Sequence, residues 1–195
     1  MNPDFWKLSL IAIMIGFAIF ASFNLLGMGI YMKNNQKLPR AIAVIFPSGK
    51  RKINGYITLS ENKTLGITTI QASLKGLPPN KKLALHVHQF GDLRDMKTCL
   101  STGSHYNPDN VDHAGPHDKI RHIGDFGNLK SNSNGDSKSK IRIKCLLLTG
   151  KKSVLGRALV IHAGEDDLGK GGTEESLKTG SAGKRIGCGV IGYMK

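Results

Sequence analysis

Six of the seven histidines are spaced so that they could share metal ions. His86 and His88 stand one residue apart in the run LALHVH. Residues two apart on a strand project to the same face, so these imidazoles would sit side by side on a rigid support. His105, His113, His122 and Asp125 follow within one stretch of chain. They offer three imidazoles and a carboxylate, the number and type of donor that tetrahedral zinc takes. His162 ends the run RALVIH and can complete a set of imidazoles with His86 and His88. Sets dominated by imidazole suit copper as well as zinc. One isolated His is ordinarily a surface or core side chain, and His117 reads that way. Six together on two strand ends and one loop are not explained by such placements.

The elements that would carry these residues are short. AIAVIF at 41–46, GYITL at 55–59, LGITTIQASL at 65–74, LALHVH at 83–88, KIRIKCLLL at 140–148 and RALVIH at 157–162 are rich in β-branched residues and Leu, and are bounded by Gly, Pro, Asn and Ser. After residue 40 no stretch has a 3.6-residue apolar period. The expected fold is all-β, a Greek-key β-sandwich or barrel, with two long connections at about 89–139 and 163–185. Loops of that length in a compact domain are functional or disordered. Three cysteines without a C-x-x-C exclude a disulfide-dense scaffold, a zinc ribbon and a thioredoxin-like motif.

Residues 8–32, LSLIAIMIGFAIFASFNLLGMGIYM, contain no Asp, Glu, Lys or Arg. A helix of roughly 20 residues crosses a bilayer core of about 30 Å, and signal peptides have shorter apolar runs and small-x-small cleavage sites. The best cleavage position, after Ala21, has Ile19 at the third place back. One N-terminal transmembrane-type helix acting as an uncleaved anchor is therefore expected, with a cleaved signal as the alternative. The expected organisation is a membrane segment at 1–32, a basic linker at 33–40 and a domain at 41–195. The domain would lie outside the cytoplasm, anchored, or secreted or periplasmic if the segment is removed. Positive-inside counting of Lys33, Lys37 and Arg40 argues the other way, but the rule weakens when a whole domain follows. Asn62-Lys63-Thr64 is an acceptor pattern for N-glycosylation.

Formal charge is +14, of which Lys7, Lys33, Lys37 and Arg40 against Asp4 account for +3, leaving +11 on residues 41–195. Such a balance suits nucleic acid, an anionic surface or a small anionic substrate. The chain has no recognised nucleic-acid module or aromatic platform, so no nucleic-acid partner is expected.

HVHQFGD at 86–92, HAGP at 113–116, RHIGDFGN at 121–128, DDLGKGG at 166–172 and GKRIGCGVIG at 183–192 resemble, in order and spacing, the signatures of the copper-zinc superoxide dismutases. The resemblance covers essentially everything after the linker. It implies one copper bound by His86, His88, His105 and His162, one zinc bound by His105, His113, His122 and Asp125, and His105 bridging the two. It implies dismutation of superoxide to oxygen and hydrogen peroxide by alternating reduction and reoxidation of copper, with the zinc structural. Arg185 would attract and orient the anion, and Asp166 would link a copper-side imidazole to a zinc-side one. Lys170, Glu174, Glu175, Lys178 and Thr179 would shape the substrate channel, and Cys99 and Cys188 would form a disulfide. Cys145, inside an apolar run, is expected to be a buried free thiol.

The resemblance also suggests a copper chaperone for metal loading and a homodimer. LRDMKT at 93–98 is two residues longer than the commonest form and lies in the segment that helps build that dimer contact. The alternative function is a catalytically silent metal-binding or chaperone-interacting module; its mark would be loss of a copper ligand or of Arg185, and neither is lost.

Overall fold

The computed structural model describes Phe20, Ser22, residues 39–50 and residues 52–195. Apart from Phe20 and Ser22, the expected anchor at 8–32 lies outside the described residues, as does most of the linker, and among those described no helix is long and apolar enough to cross a membrane. All elements below belong to the compact unit Leu38–Lys195.

Ten strands follow in chain order: β1 (Arg40–Val44), β2 (Phe46–Pro47), β3 (Asn54–Asn62), β4 (Ile67–Lys75), β5 (Lys82–His88), β6 (Asp125–Lys130), β7 (Lys140–Lys144), β8 (Ala158–His162), β9 (Arg185–Val190) and β10 (Gly192–Tyr193). A one-turn 3-10 helix covers Leu100–Thr102, and the short helix α1 covers Glu174–Thr179. The strands form two five-stranded sheets, ordered β10-β1-β3-β4-β7 and β2-β9-β8-β5-β6. Every strand pairing is antiparallel. The chain steps from one sheet to the other at Ile45, between β1 and β2, and at Ile191, between β9 and β10. Both side chains are buried. These steps join the sheets along one side, while β6 and β7 are free edges.

Alternation along the strands makes the core. On β3, Ile57 and Leu59 turn inward and are fully buried, while Tyr56 on the other face is exposed. Ile70 and Leu74 of β4 and Leu83, Leu85 and Val87 of β5 meet them between the sheets. Each such side chain contributes about 1.5–3 kcal/mol when taken fully out of water. Glu61 is also inward and only 2% exposed, and its carboxylate accepts the Leu148 N–H at 2.9 Å.

Strand β5 is buried on both faces after Lys82, because the core covers one side and long loops cover the other. The odd-numbered Leu83, Leu85 and Val87 take the core face, which sends His86 and His88 to the loop face. The period of two that predicts paired imidazoles thus also sets them against the segments that carry the other histidines.

Two expectations need correction. The stretch 89–139 is not one connection, since β6 interrupts it at Asp125–Lys130, and α1 interrupts 163–185. Cys145 is exposed rather than buried. It lies one residue beyond β7 with φ +60°, so the strand's alternation has ended before it.

Candidate metal centre

His86 and His88 on β5, His162 at the end of β8 and His105 from the loop after the 3-10 helix converge, each at most 4% exposed. One donor atom from each lies within 4.8 Å of the others. Main-chain hydrogen bonds hold the His105 loop to β5: Tyr106 N–H donates to Val87 O at 2.7 Å, and Val87 N–H donates to Gly124 O at 2.8 Å. His105 is thereby fixed beside His88, with which it forms a β-bridge.

The outer hydrogen bonds fix which nitrogen of each ring carries hydrogen. His88 Nδ1 faces Gly103 O at 2.8 Å, and His162 Nδ1 faces Gly183 O at 3.0 Å. A carbonyl oxygen can only accept, so both Nδ1 atoms are protonated and both Nε2 atoms keep lone pairs. Those Nε2 atoms are 3.3 Å apart. His86 donates through Nε2 to Asp166 Oδ2 at 2.9 Å, leaving Nδ1 buried without a hydrogen-bond partner. His105 Nε2 is likewise buried without one. Burial pushes His86 and His88 well below the usual imidazole range and His162 down to about 4, with His105 beside them adding to the effect. The rings are neutral at neutral pH and their inner lone pairs are available to a metal. Buried lone pairs with no proton donor are costly, and a bound cation would satisfy them.

The second convergence surrounds Asp125, at the start of β6. Its Oδ1 lies 3.2 Å from His105 Nδ1, 2.9 Å from His113 Nδ1 and 3.1 Å from His122 Nδ1. His122 Nδ1 is 3.4 Å from His105 Nδ1. Donors at about 2.0–2.1 Å from a tetrahedral zinc stand about 3.3 Å from one another, so these spacings match the edges of such a polyhedron. His113 Nδ1 is close to Asp125 but not aligned to hydrogen-bond with it. Again the outer nitrogens are tied down: His122 Nε2 donates to Val111 O at 2.9 Å, and His113 Nε2 donates to Asp166 Oδ1 at 2.7 Å. His86, His105, His113 and Asp125 also bring one donor each within 4.8 Å, with His122 adjoining. His86 thus lies within reach of both groups, and His122 meets Asp125 through Nδ1 at 3.1 Å.

Burial alone would raise Asp125 and Asp166, but the histidines packed against them overcome it and hold both carboxyls below the ordinary range. Burial opposes protonation of His113, yet its contacts with Asp125 and Asp166 outweigh that and lift it to about 9. Asp166 thus accepts from His86 with one oxygen and from His113 with the other, linking the two convergences. Gly180, with φ +68°, makes this link fit: a Cβ there would overlap Asp166 Oδ1 and His113 Nε2.

An open cleft reaches His88, His105 and His162. Arg185 lines it and is anchored from below. Its guanidinium donates to Cys99 O at 2.7 Å, Thr102 Oγ1 at 3.0 Å and Gly103 O at 2.8 Å. The Cys99–Cys188 disulfide ties that same loop to β9, which begins with Arg185. Thr179, Glu175 and Lys178 of α1 also line the cleft, whereas Lys170 and Glu174 stand outside its lining. Lys50, Lys97 and Lys184 line it too, and sequence reasoning did not single them out. Lys184 adjoins Arg185 in GKRIGC, but nothing in the sequence places Lys50 and Lys97 there.

The family model described as copper/zinc superoxide dismutase (SODC) matches residues 53–191. A protein named Superoxide dismutase (Cu-Zn) from Yarrowia lipolytica is 46% identical over 153 residues, which is 78% of this chain and 97% of the relative. The one so named from Saccharomyces cerevisiae is 44% identical over 153 residues, with the same coverage. One from Paramecium bursaria Chlorella virus 1 is 52% identical over 126 residues, 65% of this chain and 66% of the relative. With a match across most of its length and two histidine groups of fitting chemistry, the chain belongs to the copper/zinc superoxide dismutase family of oxidoreductases.

Proposed function

We propose that this chain dismutes superoxide, with copper held by His86, His88, His105 and His162 and zinc by His105, His113, His122 and Asp125. When bound, copper supplies the one-electron redox chemistry that takes superoxide alternately to oxygen and to peroxide, and zinc holds geometry and charge. The observation that carries the reading is the difference between His105 and the other five rings. His86, His88, His113, His122 and His162 each spend one nitrogen on a carbonyl or carboxylate outside the site. His105 spends neither: Nδ1 faces Asp125 and His122, and Nε2 has no partner. It is the ring with a donor for each metal.

The remaining residues divide the work. Arg185 keeps its charge at any relevant pH and presents donors at the cleft floor, where an anion can be oriented. His105 Nε2 is the buried nitrogen able to hold a proton and hand it to departing peroxide. Asp166 keeps the His86 and His113 lone pairs turned inward. Thr179 lines the same cleft as Arg185.

Full-length protein loaded with copper and zinc is the material for the test. It should hold one of each and consume superoxide with kcat/KM on the order of 10⁸–10⁹ M⁻¹s⁻¹, as expected of a diffusion-limited enzyme. Correct metal content with decay no faster than in buffer would instead favour a silent metal-binding module. Two further proposals concern context. Residues 8–32 anchor the chain, which protease protection in membranes would test. Exposed Phe46 (45%), Phe90 (57%) and Val190 (36%) support a homodimer, which sedimentation would test.

A further inference from the structure

Of the two lysines expected to shape the substrate channel, Lys170 lies outside the cleft lining and Lys178 is not a free charge. The Lys178 Nζ lies 2.5 Å from Glu174 Oε1, one turn earlier on α1, and Glu175 lies in the cleft lining beside it. The EESLKT helix therefore has a net charge of −1 and cannot by itself draw an anion inward.

Unpaired positive charge enters the cleft from three other segments. Lys50, Lys97 and Lys184 are exposed, line the cleft with Arg185, and have no ion pair among the described residues. Against them the lining holds Asp112 and Glu175. The three lysines are far apart in sequence but share one buried node. Ser48, 6% exposed, donates its N–H to Ile186 O at 2.9 Å and its Oγ–H to Lys97 O at 2.6 Å. Lys50 is two residues beyond Ser48, and Lys184 two residues before Ile186. The node thus fixes the backbone of all three segments beside Arg185.

We propose that Lys50, Lys97 and Lys184, rather than Lys178, form the electrostatic funnel of this chain. The inference rests on the dismutase reading above. Unpaired cations along a low-dielectric cleft focus the field on its floor, whereas a paired lysine contributes only a rapidly decaying dipole.

The test compares three variants of the full-length copper- and zinc-loaded protein across ionic strength. The triple variant Lys50→Gln, Lys97→Gln, Lys184→Gln should lower kcat/KM about tenfold at low salt and converge with the parent at high salt, where screening removes steering. A control triple at Lys119, Lys140 and Lys144, outside the cleft lining, makes the same change in net charge and should alter the rate less than about twofold. Lys178→Gln should also change it less than about twofold. Azide affinity, read from the copper absorption band, should fall in the cleft triple alone. An unchanged salt slope in the cleft triple, an equal loss in the control, or a larger loss in Lys178→Gln would overturn the funnel. A metal-loaded parent without dismutation would refute the dismutase reading, while loss of azide affinity in the cleft triple would still support the funnel.

Discussion

At Asp166 the two metal groups meet through a single carboxylate, and the consequences of changing it can be derived atom by atom. Each oxygen accepts from a ring, Oδ2 from His86 and Oδ1 from His113. An Asp166→Asn side chain keeps the shape but presents an NH₂ to one of the rings. That ring must shift its hydrogen to the inner nitrogen and lose its metal-facing lone pair. Metal affinity should fall about 10–100-fold by competitive chelation, and unchanged affinity would show that the carboxylate does not set the tautomers. His113 gives a pH dependence whose sign follows directly. Its metal-free pKa, raised to about 9, means that below that value zinc must displace a proton. Apparent zinc affinity should therefore rise about tenfold per pH unit from neutrality towards about 9, and a flat profile would contradict the arrangement. Every histidine in the two groups was readable in the sequence as a candidate ligand. The division of labour between ring nitrogens was not, because it depends on carbonyls of Gly103, Val111 and Gly183 that no side-chain pattern announces.

The elements carrying these residues were legible where side chains alternate and obscure where glycine replaces them. Strands β3, β4, β5 and β8 follow from their β-branched runs. Strand β9, RIGCGV, does not, because glycine has low strand propensity. Packing explains it: a Cβ on Gly189 would overlap Val44 O, so only glycine lets β9 lie this close to the end of β1. Gly180 has a similar duty at the end of α1. Gly180→Ala should displace Asp166 or His113, strain a backbone held at φ +68°, and weaken zinc retention against a chelator. Full retention would show that the helix end can move away. The Cys99–Cys188 bond spans 89 residues of sequence. Chain-entropy arguments assign such a loop about 4–5 kcal/mol. Cys99→Ala should lower the unfolding free energy by an amount of that order in denaturant titration. It should also cut turnover, since the carbonyls that hold Arg185 belong to Cys99 and Gly103. Turnover that persists in the folded variant would show that the loop keeps Arg185 in place without the bond.

Across the unit Leu38–Lys195, the two sheets support His86, His88 and His162, and the loops over β5 bring His105, His113 and His122 and much of the cleft lining. The +11 on residues 41–195 is spread over both, and only the part lining the cleft bears on the substrate. Composition revealed the excess but not its distribution, because Lys50, Lys97 and Lys184 meet only through tertiary hydrogen bonds at Ser48. What unites site, loops and sheets is His105, a single imidazole reaching both metal groups from one loop. Electron paramagnetic resonance of the full-length protein with copper in both groups tests that most directly. A shared imidazolate couples the two unpaired spins, so the account predicts that the ordinary copper signal is largely lost at low temperature and returns as two independent signals in His105→Ala. Two independent signals in the unaltered protein would contradict it.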